Sequence, residues 1–324
     1  ELQWRWNTTP RPGEPGAETW PTKASMEHGG GMTWMSGTYD PELNLYYFGT
    51  GNPNPVHAAQ SRKGDNLYTC SIVALNPDTG KMVWYYQMSP HDTHDWDNTE
   101  TPVLIDGVFN GQPRKLLAQA ARNGYFTLLD RTNGKNLLTA PFVDTLNWAK
   151  GIDAQGKPMP NPAKEPRTDG TLVSPSSDGA ANWFAPSFSP DTGLFYFNAT
   201  MSYAIYYLTD TDENPQGYGG RDTSLWSRQV LQAIDYKTGK VAWRHVYPNL
   251  GGTRNGVLST AGGLLFAGDP TGNLIAYDPA NGHPLWHAGL QAPAYNAPIT
   301  YELDGRQYVV VGGGDMLYAF VLPQ

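Results

Sequence analysis

One repeated pattern constrains the fold of this chain more than any other feature. It consists of an apolar pair, Asp or Asn, three turn residues, Gly, three further residues and Trp, and it occurs at 74–84, 233–243 and 276–286. A weaker copy at 128–135 lacks the Trp. Each copy predicts a strand, a tight turn with Gly where φ is positive, and a return strand whose Trp packs between neighbouring sheets. Repeated units of this kind are typical of a β-propeller.

The spacing of the strand groups predicts an all-β chain that forms a single propeller domain of about five blades over residues 1–324. A β-sandwich with similar hairpins is disfavoured, because the spacing from Asp to Gly to Trp is nearly identical in each copy. Residues 1–7 look like the tail of another Trp repeat, and as a further strand they could close the ring, since closure removes exposed sheet edges. We expect the blades at 32–86, 100–140, 183–246, 256–288 and 296–321, with an insert at 141–182.

The composition fits this fold and excludes some functions. Aromatic residues make up 12% of the chain and charged residues 16%, with 36 Gly and 27 Pro, as expected for short strands and many turns. The net charge of −8 argues against a nucleic-acid partner, which requires a basic surface. No apolar run approaches the roughly 20 residues of a membrane helix. The acidic surface could instead attract a basic protein.

Three loops carry a resemblance to a known family. They lie at 29–41, at 47–55 with 64–68, and at 90–97, where the last contains the sequence His-Asp-Thr-His-Asp-Trp-Asp. The Trp repeat resembles the tryptophan-docking motif of the quinoprotein dehydrogenases, and the loops resemble consecutive blades of a quinoprotein alcohol or methanol dehydrogenase. The resemblance covers the C-terminal part of such an enzyme, about five of eight blades, and runs nearly the whole length of this chain.

The resemblance implies an activity and its partners. Such an enzyme oxidises a primary alcohol to an aldehyde with pyrroloquinoline quinone (PQQ) and a metal ion, and passes electrons to a cytochrome c-type acceptor. A periplasmic or secreted location is expected, with a signal peptide that does not form part of this chain.

The resemblance also implies roles for residues of the second and third loops. Asp95 matches the catalytic aspartate, which accepts the proton of the alcohol. Asn52, Asp95 and Asp97 match positions around the metal. An acidic residue at the position of Asp97 accompanies lanthanide-using members of the family, so a lanthanide(III) ion is expected ahead of calcium.

Three further residues match positions that hold the quinone. Trp34 matches the tryptophan whose ring lies flat against the cofactor, a contact that suits a planar tricycle. Arg122 matches a basic residue that binds the quinone oxygens, and Asn182 matches a residue near a cofactor carboxylate. Taken without the family, each of these residues is a common component of blade cores and turns.

The chain departs from the family pattern in two places. A full member has an N-terminal half with an acidic metal ligand and a disulfide between adjacent cysteines, whereas this chain has Cys70 alone. The segment 251–258 contains no Trp where many members have one that reaches the cofactor. The sequence leaves two interpretations open, a fragment of an eight-bladed enzyme and a closed five-bladed ring, and the missing contacts would weaken cofactor binding.

Two other functions remain alternatives at the level of sequence. A five-bladed propeller with an acidic, aromatic pocket also suits glycoside hydrolysis of a sugar substrate, with Asp65, Asp95 and Asp97 as candidate carboxylates. The third hypothesis is a propeller that binds a partner and catalyses nothing.

Overall fold

The computed structural model describes residues 1–248 and 255–322 and is built almost entirely of antiparallel strands. One short α-helix, α1, spans Lys23–Glu27, and single 3-10 turns occur at Ala17–Thr19, Ala59–Ser61 and Pro162–Lys164. The all-β prediction is therefore confirmed. No helix in these two described ranges is long and apolar enough to cross a membrane.

The chain divides into two compact units, where the sequence predicted a single domain. The first unit comprises Glu1–Trp183 and Met201–Trp226, and the second comprises Phe184–Thr200 and Ser227–Gln324. The prediction of one domain with about five blades stays a prediction.

The first unit contains two four-stranded sheets and a hairpin. The first sheet has the order β1 (Thr38–Asp40), β2 (Leu45–Gly49), β3 (Ser71–Leu75) and β4 (Met82–Gln87). The second sheet has the order β5 (Val103–Phe109), β6 (Gln112–Ala120), β7 (Tyr125–Asp130) and β8 (Lys135–Pro141). Within the predicted insert 141–182, a hairpin pairs β9 (Ala149–Ile152) with β10 (Pro158–Pro160).

A five-stranded sheet includes two long strands. It has the order β11-β13-β14-β15, and β12 also pairs with β13. Its members are β11 (Thr171–Val173), β12 (Ser187–Ser189), β13 (Leu194–Leu208), β14 (Gly220–Asp235) and β15 (Val241–Val246).

The second unit contains two further sheets. The first consists of β16 (Val257–Ser259), β17 (Leu265–Gly268), β18 (Asn273–Tyr277) and β19 (Pro284–Gly289) in that order. The second consists of β20 (Ile299–Leu303), β21 (Arg306–Gly313) and β22 (Met316–Val321).

The repeated Trp packs between sheets as predicted in two of the three full copies, at Trp84 and Trp243, whereas Trp286 of the third copy is exposed. The ring of Trp84 is buried among the residues between the first two sheets, and its Nε1 donates to the carbonyl of Arg131 at 3.0 Å. A Cβ on Gly134 would lie 2.7 Å from this ring, so the turn requires Gly for space as well as for its φ of 73°. In the second unit, Trp243 lies against Gly282 in the same way.

A bulge at the same point of each repeat aims the Trp side chain. The pairing of β3 with β4 shifts register after Ala74, which lies opposite Trp84, so Val83 has no partner and is exposed. Equivalent shifts follow Ala233 and Ala276. A bulge turns the following side chains relative to the pleat, and the small alanine leaves space beside the indole.

The strand predicted at residues 1–7 is not formed. This segment contains no strand, and instead the ring of Trp4 lies against Gly80 while its Nε1 donates to the carbonyl of Pro77. The tail therefore contacts the β3–β4 turn through its Trp instead of pairing as a strand. Ring closure by a strand from these residues is a prediction that the structure corrects.

Candidate active site

The loop between β4 and β5 is wound around the side chain of Asp92. The carboxylate of Asp92 is buried and accepts three backbone N–H groups, from His94 at 3.3 Å, Asp95 at 3.0 Å and Trp96 at 3.1 Å. Asp95 takes a left-handed backbone conformation, with φ of 69°. Such a conformation costs a non-glycine residue about 1–3 kcal/mol and often occurs at functional sites.

Asp97 binds the two loops that precede it in the chain. Its Oδ1 accepts the N–H of Asn52 at 2.7 Å, and its Oδ2 accepts Nε1–H of Trp34 at 3.0 Å. The guanidinium of Arg122 lies 3.5 Å from the same Oδ2. Charge-assisted bonds of this kind are stronger than neutral ones, so Asp97 fixes Trp34 and Asn52 relative to the acidic loop.

Arg122 lies in the turn between β6 and β7 and connects the remaining predicted residues. One of its Nη atoms donates to the carbonyl of Asp95 at 3.0 Å, and the other contacts Oδ1 of Asn182 at 3.4 Å. Its Cζ lies 5.6 Å from the centre of the Trp34 ring, in a cation–π contact. The structure thus brings together all the site residues predicted from sequence. They are Trp34, Asn52, Asp95, Asp97, Arg122 and Asn182.

The acidic groups of the site repel one another. Burial, together with the charges of Asp97 and Asp92, raises the pKa of Asp95 to about 7, while Arg122 opposes the shift. Among the described residues, no hydrogen bond reaches the Asp95 carboxylate. A cation beside Asp95 would relieve this repulsion and replace the missing partner.

The side chains fit a hard cation through their oxygen atoms. The described residues contain no cluster of three or more His, Cys, Asp or Glu side chains placed to hold a metal. Asn52 donates its Nδ2 to the carbonyl of Pro53 at 3.0 Å, which leaves its Oδ1 available as an acceptor. Asn52, Asp95 and Asp97 therefore offer the oxygen donors that such ions prefer, in fewer than the six to eight positions that calcium fills.

Two residues near the site were not predicted from sequence. Glu100 is buried, its Oε1 accepts the N–H of Arg122 at 3.2 Å, and its Oε2 has no protein partner in the described part of the chain. Burial raises the pKa of Glu100 to about 8, against the opposing charge of Arg122. Tyr218 is exposed, and the charge of Asp95 is the main cause that raises the pKa of its hydroxyl. Neither residue lies in a recognisable motif, so only tertiary packing reveals them.

The segment 251–258, where the sequence departs from the family pattern by lacking a Trp, is only partly described by the structure. Residues 251–254 lie outside the described residues. Asn255 is buried, and its carbonyl and side-chain oxygens both accept from Nδ2 of Asn198 at 2.9 Å.

Comparison with known proteins identifies the family to which this chain and its fold belong. Residues 1–145 and 225–309 match the model of the PQQ family, described as the beta-propeller domain of glucose, ethanol and alcohol dehydrogenases. The chain therefore belongs to this family, and the propeller prediction is confirmed.

Individual relatives narrow the comparison to alcohol dehydrogenases. The chain is 39% identical to quinoprotein alcohol dehydrogenase PedH of Pseudomonas putida, over 93% of this chain and 52% of the relative. It is 40% identical to a quinohemoprotein alcohol dehydrogenase of Comamonas testosteroni, over 97% of this chain and 48% of the relative. It thus spans about half the length of the curated relatives it matches. These relatives favour the dehydrogenase interpretation over glycoside hydrolysis.

Solved structures agree with the sequence relatives. The crystal structure of the Comamonas testosteroni quinohemoprotein superposes with a TM-score of 0.89 at 36% identity, over 96% of this chain and 50% of that one. A europium-containing methanol dehydrogenase superposes with a TM-score of 0.82 at 34% identity, over 94% of this chain and 54% of that one.

Proposed function

We propose that this chain carries out PQQ-dependent oxidation of a primary alcohol to an aldehyde. The observation that supports this most strongly is the convergence of the six predicted residues around the half-buried carboxylate of Asp95, in a chain of the quinoprotein family. Among the described residues this carboxylate accepts no hydrogen bond. When bound, PQQ would supply the hydride acceptor for the carbinol carbon, and the metal ion would supply positive charge for the developing alkoxide. The curated relatives are about twice as long as this chain. The proposed activity is therefore that of a whole protein of this family.

Asp95 serves as the general base in this proposal. Without a metal ion the pKa of Asp95 is about 7, and a cation beside the carboxylate would lower it, so that Asp95 is ionised and able to take the hydroxyl proton. The proton of the alcohol O–H passes to the Asp95 carboxylate. The backbone of Asp95 is held by two hydrogen bonds, from its N–H to Asp92 and from Arg122 to its carbonyl, and these bonds keep the carboxylate in place.

Asn52, Asp95 and Asp97 hold the metal ion, which is a lanthanide(III) or calcium. Two carboxylates in one loop favour the ion of higher charge, and one solved relative contains europium. Trp34 supplies a half-exposed ring for stacking, and Arg122 supplies a permanent positive charge for the quinone oxygens. Asn182 contributes an amide next to that guanidinium.

The acceptor and location follow the family expectation. Electrons pass to a cytochrome c-type acceptor, and the protein works in the periplasm or outside the cell. One relative is named a 1-butanol dehydrogenase (cytochrome c), with 38% identity over 78% of this chain. The acidic net charge of −8 suits a basic cytochrome.

Reconstitution tests the proposal. The purified protein is incubated with PQQ plus La³⁺ or Ca²⁺, and dye-linked oxidation of ethanol is measured against samples lacking PQQ or metal. We expect turnover only when both are present, with La³⁺ the better ion. Absence of turnover with either ion contradicts the proposal for this chain, and hydrolysis of a chromogenic glycoside without PQQ would support the glycosidase alternative instead.

Replacing Asp97 tests the metal assignment. The Asp97→Ala variant loses one carboxylate, so we expect activity with La³⁺ to fall more than activity with Ca²⁺. An equal loss with both ions would show that Asp97 does not discriminate between them.

A further inference from the structure

The buried carboxylate of Asp92 controls the backbone of Asp95 without touching the reacting groups. Its Oδ2 accepts the N–H of Asp95 at 3.0 Å and that of Trp96 at 3.1 Å, and its Oδ1 accepts the N–H of His94 at 3.3 Å. Because these three amides are consecutive, a single side chain sets the path of the loop that carries Asp95.

The side chain of Asp95 depends on this backbone for its direction. The Asp95 N–H is bound by Asp92, and its carbonyl accepts a bond from Arg122 at 3.0 Å. No hydrogen bond holds the Asp95 carboxylate itself among the residues the structure describes. A change in the backbone at a φ of 69° would therefore move the carboxylate directly.

A buried arginine connects this loop with the segment that follows Asn52. The guanidinium of Arg62 is wholly inaccessible to solvent, and it donates to the carbonyl of Asp92 at 2.6 Å. It also donates to the carbonyls of Pro55 and Val56, both at 2.7 Å. Arg62 thus joins the chain just beyond Asn52 to the residue that holds Asp95.

We infer that Asp92 is a positioning residue that, with Arg62, holds Asp95 and Asn52 in register for one metal ion. The inference rests on the proposed function, because it assigns both residues to the same ion. The charge of Arg62 offsets the buried charge of Asp92, which explains how a carboxylate is tolerated at this depth. Partners that orient metal ligands change metal affinity by about 10–100-fold when they are removed.

Terbium(III) luminescence tests the inference without any need for turnover. Tb³⁺ is titrated into the wild type and the Asp92→Asn and Asp92→Ala variants, and excited-state lifetimes in H₂O and D₂O give the number of bound waters. We expect the affinity to fall by at least about tenfold in Asp92→Asn and further in Asp92→Ala, with more bound water, because Asp95 no longer faces the ion. Asn keeps one acceptor oxygen, so this variant provides the measurement if Asp92→Ala does not fold.

The matched control is Asp235→Asn. Asp235 also accepts backbone N–H groups, from Lys237 at 2.8 Å and Thr238 at 3.3 Å, but in a hairpin turn that holds no predicted ligand. Its replacement should leave Tb³⁺ affinity and hydration unchanged.

Two different failures can be told apart. Wild-type affinity and hydration in folded Asp92 variants would overturn the inference and leave the proposed function standing. Failure of the wild type to bind Tb³⁺ would overturn the proposed function, and the inference would fall with it. A lower melting temperature with unchanged Tb³⁺ binding would show a merely structural role and would also overturn the inference.

Discussion

Two turns of the molecule use the same local chemistry in different surroundings. In the β14–β15 hairpin, Asp235 binds the amides of Lys237 and Thr238, its carboxylate remains near solvent, and Gly239 takes the positive φ of 68°. In the β4–β5 loop, Asp92 binds three amides, but it is buried and the positive φ values fall on His91 and Asp95 instead of on a glycine.

The difference lies in what each turn must do after it has formed. The hairpin only reverses the chain, so a glycine removes the strain and the carboxylate needs no counter-charge. The Asp92 loop places a second carboxylate in a sparsely populated conformation, and it needs Arg62 and Arg122 to offset the charges. Strain and buried charge are thus found where the chain carries candidate chemistry.

The largest expected effect follows from Asp95→Asn. We predict that alcohol oxidation with PQQ and La³⁺ falls by about 10²–10⁴-fold, because the base is lost. The folded state should be at least as stable as the wild type above pH 7, since the variant removes a carboxylate that burial and neighbouring charges destabilise. Steady-state kinetics and thermal unfolding check the two parts, and unchanged turnover would support the non-catalytic alternative.

The second prediction concerns the pH dependence of stability. The pKa of Glu100 is raised in the folded protein to about 8 from an ordinary value of 4.5. The folded state therefore holds a proton that the unfolded state has lost between these values, and stability falls as the pH rises from 5 to 8, by at most roughly 5 kcal/mol.

Glu100→Gln should flatten this profile. The neutral amide keeps the oxygen that accepts the Arg122 N–H, so the variant should match the wild type near pH 5 and exceed it near pH 9. Urea unfolding at pH 5, 7 and 9 measures the difference. Parallel profiles for the two proteins would show that Glu100 is not protonated in the folded state.

The third prediction tests the hairpin side of the comparison. Gly134→Ala should cost about 2–4 kcal/mol of unfolding free energy, because the new Cβ meets the Trp84 ring and L-residues disfavour the left-handed conformation. The matched control is Gly111→Ala, where φ is 75° but nothing lies within 4 Å of the new Cβ. This control should cost only about 1–2 kcal/mol, and equal losses would show that the Trp contact contributes nothing.

The smallest effect is expected for Asp235→Asn. The side-chain oxygen of Asn also accepts hydrogen bonds from backbone amides in turns. The free energy of unfolding of this variant should therefore fall by less than about 1 kcal/mol. Chemical unfolding of this variant beside Asp92→Asn compares the two turns directly. A loss as large in the hairpin as in the β4–β5 loop would remove the distinction between them.

The sequence predicts the features that depend on neighbouring residues. The turn glycines, the packing of Trp84 and Trp243, and the sheets that contain them follow from spacing and turn chemistry. The site residues were identified through the family resemblance, and the structure brings them together. The sequence pattern gives a wrong prediction at residues 1–7. Trp4 packs on a turn as the Trp of a repeat does, but the segment does not form a strand.

The remaining features depend on packing between distant parts of the chain. The burial of Glu100 and of Asp92 is not visible in the loop sequence, because Arg62 and Arg122 reach them from other segments. Whether a carboxyl group titrates near 4 or near 8 is decided by these contacts. Composition and spacing therefore predict the turn, and tertiary structure decides its electrostatics.

The central claim is that the carboxylates around Asp95 are held together for a cation. The number of protons released on metal binding tests this claim most directly. La³⁺ is titrated calorimetrically into the wild type and Asp95→Asn at pH 7, in buffers of different ionisation enthalpy. With a pKa of about 7, Asp95 is half protonated at this pH, so binding should release about half a proton in the wild type and distinctly less in the variant. Tight binding with equal proton release in both proteins, or no binding at all, would contradict the account.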